Sequence, residues 1–127
     1  MLTRFRVFLA VLVVMLLAAV GCERASETPP PDEMATVLSN VREGYNAEDA
    51  GLFCADFDEV MFPEGYTQDT YLETIQQLQA QLGEWRSEVY LGTEDNQYTW
   101  RVTFANAKAK LLLVMDEEWH VTGLWFR

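Results

Sequence analysis

The apolar positions change their period along the chain. Val7–Val20 is a run of 14 residues without a polar side chain, preceded by Arg4 and Arg6. A membrane-spanning helix needs roughly 18–20 such residues, so the run has the length of a signal-peptide hydrophobic region. Glu23–Pro31 (ERASETPPP) has no apolar period and ends in three prolines, which predicts a polar tether stiffened by polyproline geometry. From Asp32 the period becomes helical. Met34, Val37, Leu38, Val41 and Tyr45 fall on one face, with Asp32 as N-cap and Gly44 ending or loosening the last turn. Asn46 is placed to cap a second helix over about residues 47–53. Residues 55–66 carry Phe57, Val60, Met61 and Phe62 between breakers and predict no long element. Thr67 opens a third helix through Leu82, with Tyr71, Leu72, Ile75, Leu78 and Leu82 as its apolar stripe. Gln76, Gln77, Gln79 and Gln81 lie off that stripe, as a solvated face would.

After Gly83 the period becomes two. Residues 85–93 predict a strand. Tyr98, Trp100, Val102 and Phe104 alternate with polar residues in a second, and Lys108–Met115 forms a third. In a fourth, Trp119, Val121 and Trp125 share the core face and His120, Thr122, Leu124 and Phe126 the other. Asp95–Asn96, Asn106–Ala107 and Asp116–Glu117 supply short turns, which make successive strands antiparallel neighbours. The expectation is an α+β chain: residues 1–21 a leader, 22–31 a tether, and 32–127 a domain of three helices packed on a curled antiparallel sheet of about four strands.

Composition agrees with one small packed domain: half the 127 residues are apolar and 13% aromatic, which excludes a wholly disordered chain. Removing residues 1–21 takes away two bases and no acid, leaving 7 bases against 20 acids. A net charge near −13 repels phosphate backbones, so nucleic acid is excluded as a partner. The same charge predicts that the folded part stands off an anionic bilayer.

The leader resembles a bacterial lipoprotein signal. Ala18-Ala19-Val20-Gly21-Cys22 ends in a small residue followed by the cysteine that such signals acylate. Ala19 stands where leucine is usual, which leaves ordinary cleavage near the same site as one alternative. An apolar helix retained as an anchor is the other. The resemblance implies lipidation at Cys22, a membrane partner through that lipid, and a place outside the cytoplasm. With Cys22 acylated, Cys54 has no intrachain partner and reads as a small buried apolar residue.

Three helices followed by a meander resemble the nuclear transport factor 2-like superfamily, the cystatin-like cone, and within it small secreted bacterial domains. The residues behind the likeness are Gly44-Tyr45-Asn46-Ala47-Glu48-Asp49, Phe57-Asp58-Glu59-Val60-Met61 and Trp119-His120-Val121-Thr122-Gly123-Leu124-Trp125-Phe126. The resemblance implies a cone with a cavity between helices and sheet, often paired as a homodimer through the sheet. It implies no particular reaction, since this fold hosts both enzymes and binding modules.

His120 is the only histidine, which excludes multi-histidine metal centres, and no orienting partner for it is evident. Asp56, Asp58 and Glu59 read as a solvated acidic turn. One of them pointing into the cone beside a tyrosine hydroxyl would instead suit an isomerase- or cyclase-like enzyme. Tyr45, Phe57, Tyr98, Trp100 and Trp119 are the candidates to line a cavity for a small apolar ligand, against the alternative that they fill the core. No phosphate loop, nucleophile elbow or metal-ligand spacing is present, so no cofactor or metal is expected. The reading is a membrane-anchored extracytoplasmic lipoprotein. Its domain binds a ligand, a second copy or another envelope protein without catalysis, and a small enzyme is the alternative.

Overall fold

The computed structural model describes residues 24–127; Cys22 and the apolar run before it lie outside the described residues. Helix α1 (Asp32–Ala47) is followed by α2 (Ala50–Phe53), a 3-10 turn (Glu59–Met61) and α3 (Gln68–Leu82). Strands β1 (Trp85–Glu94), β2 (Gln97–Phe104), β3 (Lys108–Met115) and β4 (Val121–Phe126) then form one antiparallel sheet in sequence order. The chain is α+β, as its periods predict. No helix among the described residues is long and apolar enough to cross a membrane.

The helical stripes are where the spacing put them, except that Leu72 does not join the core. Met34, Val37, Leu38, Val41 and Tyr45 are buried on α1, and Ile75 is fully buried on α3 with Leu78, Leu82 and Tyr71 packed around the core. The helix ends differ from expectation. Pro31 occupies the N-cap of α1, and Asp32 and Glu33 stand in its first turn, favourably placed near the positive end of the helix dipole. Gly44 does not end α1. It lies buried where α2 crosses, and a Cβ there would sit 2.3 Å from the Phe53 nitrogen. Asp49, rather than Asn46, caps α2, its carboxylate accepting from the Leu52 N–H at 3.0 Å. Asn46 instead pairs with the backbone of Trp85. It accepts from the Trp85 N–H at 2.9 Å and donates to the Trp85 carbonyl at 3.0 Å, tying α1 to the first residue of the sheet. Nor is Gln79 merely solvated, since its amide donates to the Tyr45 carbonyl and joins α3 to α1.

The sheet curls. In a flat sheet β1 and β4, the two edges, would be roughly 14 Å apart at the usual strand spacing. Yet Trp85 of β1 and Phe126 of β4 bring their rings to 6.3 Å, with Phe104 of β2 touching both. Register shifts within β1 and between Val114 and Met115 of β3 supply local bends, as bulges do.

The second shift corrects the reading of β4. Val121 pairs with Met115 and Gly123 with Val114, so Thr122 is an extra residue. One added residue exchanges the faces of everything after it. Leu124 and Phe126 therefore pack against the core, while Trp125 points outward and is 49% exposed. Trp119 lies before β4 altogether, in left-handed backbone at φ 64°. The indole of Trp125 covers Gly123, where a Cβ would meet the ring at 2.4 Å. Trp125→Ala should therefore lower stability by only about 1–2 kcal/mol in denaturant unfolding, against the ~3–5 kcal/mol of an enclosed tryptophan. A loss in the larger range would return it to the core.

Candidate functional site

Asp58, Asp116 and His120 gather where the 3-10 turn meets the turn between β3 and β4. Each offers one ligand atom within 4.8 Å of the others, and all three are half-buried. Two backbone bonds join these segments. The Asp58 N–H donates to the Val121 carbonyl at 2.9 Å, and the Val121 N–H to the Asp56 carbonyl at 2.7 Å. Phe57 forms an isolated parallel bridge with Val121 between them.

The carboxylates are engaged in holding these turns. Asp58 caps the 3-10 turn by accepting from the Val60 N–H at 3.0 Å. One Asp116 oxygen accepts from the His120 N–H at 2.8 Å and the Glu118 N–H at 3.0 Å. The other faces His120 Nδ1 at 3.3 Å. Asp116 is thus the orienting partner for His120 that sequence reasoning did not find. Asp116 faces Nδ1, and Nε2 is the other ring nitrogen.

The His120 N–H bond is the main reason that the Asp116 carboxyl lies below its ordinary value of 3.8; the Glu118 N–H and the His120 ring add to it. The folded value being the lower one, the stabilisation is present above the ordinary aspartate range and lost as pH falls through the depressed value. The Glu118 and His120 amide signals in NMR should titrate together below pH 3.8. In Asp116→Asn neither should move there. A midpoint at the ordinary aspartate value would contradict the bonded turn.

Among the other acids, Asp56 accepts from the Asn40 amide at 3.0 Å and Glu59 is exposed on the 3-10 turn. Three tyrosine hydroxyls are directed elsewhere: Tyr45 donates to the Gly83 carbonyl at 2.8 Å, Tyr71 to the Met61 carbonyl, and Tyr90 meets Thr93.

The five aromatic candidates fall into three separate ring clusters. Tyr45 is fully buried against Trp85 and Phe104. Phe57 is half-buried among Phe53, Phe62 and Tyr71. Trp100, fully buried, stacks with Tyr98, and Tyr98 in turn meets Trp119 at 6.1 Å. Only Tyr98, Trp100 and Trp119 are brought together. Cys54 is buried, and burial pushes its thiol up to about 12, so it is a protonated apolar side chain at neutral pH. Neither a protein-family model nor a curated protein matches the chain.

Sequence reasoning missed Asp116, Asn46 and Gln79. Only Asp116 carried a signal: an aspartate beginning a turn two residues before Glu118 and four before His120, the spacing at which its side chain closes on backbone N–H groups.

Proposed function

We propose that this protein is a lipid-anchored lipoprotein of the bacterial envelope, displayed outside the cytoplasm. Its α+β domain is a nuclear transport factor 2-like cone that binds a ligand or a partner protein without catalysis. The observation that carries the anchor is Gly21–Cys22 directly after a basic pair and a 14-residue apolar run. Several acyl chains on one cysteine hold a protein far more firmly than a single chain. The non-catalytic reading is supported by the bonds that already engage two of the candidate carboxylates and two of the tyrosines. Asp56 is bound to Asn40 and Asp58 to a backbone N–H, and Tyr45 and Tyr71 give their hydroxyls to backbone carbonyls.

Cells fed labelled palmitate should incorporate it into the wild-type protein and not into Cys22→Ser, which should also leave the detergent phase on partitioning. A wild-type protein without label, or a labelled variant, would sink the lipoprotein reading.

A further inference from the structure

The net charge of this chain conceals a segregation that the sheet creates. Of the seven bases after Gly21, five (Arg86, Arg101, Lys108, Lys110 and Arg127) sit in or beside the sheet at one end. The register fixes the side of Arg101, Lys108 and Lys110. Trp100, Val102 and Phe104 point into the core, so Arg101 points out, paired in register with Lys110. Lys108 shares that face. Further along the same side Leu112 pairs with Trp125, the one exposed tryptophan. The only acid at an outward position of the four strands is Glu94, at the opposite end beside the β1–β2 turn. The remaining acids lie on the helices, the turns, the inner face of β1 and the tether. The molecule is acidic, but this face is basic and carries an amphipathic aromatic.

The tether limits where that face can be. The Ser26 N–H donates to the Tyr90 carbonyl at 2.8 Å, on the free edge of β1. Ser26 lies four positions after Cys22, a reach of at most about 14 Å even when fully extended. A lipid on Cys22 would therefore hold the edge of β1, and with it the sheet, close to the bilayer. The polyproline segment Pro29–Pro31 lies beyond this attachment and adds nothing to the reach.

We propose that the outward face of the sheet, around Arg101, Lys108, Lys110 and Trp125, docks on an anionic lipid surface. The bases meet the headgroups, and Trp125 enters the interface, where an indole has both apolar and polar surroundings. The acidic helices then face away from the membrane. This replaces the expectation from net charge alone, that the whole domain stands off. The delivery of the face to the membrane rests on the lipid-anchored reading; the face itself does not.

The test uses full-length protein from its own host, with vesicles of phosphatidylcholine alone or mixed with an equal part of phosphatidylglycerol. The intact mass reads acylation of Cys22. Lipids brominated high on the acyl chain read contact, as the quenching of wild-type fluorescence beyond that of Trp125→Phe. Quenching confined to the anionic vesicles and lost at high salt is expected. Lys108→Glu with Lys110→Glu should weaken it at least five-fold, since one base near an anionic surface already changes partitioning by roughly five-fold. Acylated protein with no Trp125 quenching, or with equal quenching on both vesicles, overturns the docking and leaves the anchor standing. Unacylated protein that is still quenched on anionic vesicles alone overturns the anchor and keeps the docking face. Unacylated, unquenched protein overturns both.

Discussion

Gly44→Ala should destabilise the domain by about 2–4 kcal/mol, although alanine is the better helix former by roughly 1 kcal/mol. The new methyl would lie 2.3 Å from the Phe53 nitrogen, 2.5 Å from its Cα and 2.7 Å from its Cβ. Two of these three atoms are backbone, so no rotamer change relieves the clash and α2 must move as a body. That displacement would pull Phe53 out of its place between the core and the rings of Phe57 and Tyr71. Gly51 is the internal control, because it also lies in a helix. A Cβ there would meet only side-chain oxygens at 3.4 Å and 3.8 Å. Gly51→Ala should therefore be neutral or stabilising by up to about 1 kcal/mol. Urea unfolding of the two variants checks the contrast in sign. Equal effects would mean that propensity, and not the α1–α2 crossing, governs both positions.

The contrast also explains what was legible before the structure. Elements whose buried face repeats without interruption are visible as a period. The α1 stripe from Met34 to Tyr45 and the alternation from Tyr98 to Phe104 both survive into the fold, and Lys108–Met115 is a strand with those same bounds. What fails is whatever depends on a partner distant in sequence. Asn46 looks like a cap because its neighbours are helical, but Trp85, 39 residues away, takes both halves of its amide. Gly44 looks like a helix end, yet its reason is the approach of Phe53. A period of two predicts the faces of β4, but one extra residue, Thr122, breaks it, so Phe126 and not Trp125 faces the core. The candidate site fails in the same manner. Aromatic residues can be counted in a sequence, but their division into three ring clusters is set by the curl of the sheet. Asp116 and His120 were each visible, and their contact required a turn with Trp119 in left-handed backbone.

Trp85→Ala should cost about 3–5 kcal/mol, a large share of the 5–15 kcal/mol that holds a domain of this size together. Trp85 is 2% exposed and meets Tyr45, Phe104 and Phe126, so its ring joins α1 to three strands. Its removal leaves a cavity at the point where the two edge strands converge. Its indole N–H also donates to Glu88 at 2.9 Å, and the same carboxylate pairs with Arg42 of α1. Trp85→Phe separates these contributions. It keeps most of the ring volume and loses the N–H, so the expected cost falls to about 1–2 kcal/mol. Chemical denaturation of both variants, with the slope compared to wild type, distinguishes a weakened native state from a changed unfolded one. If Trp85→Ala lost less than about 1 kcal/mol, the sheet would not depend on this cluster for its curl. The register shifts of β1 and β3 would then have to bend it without help from side chains on the concave face.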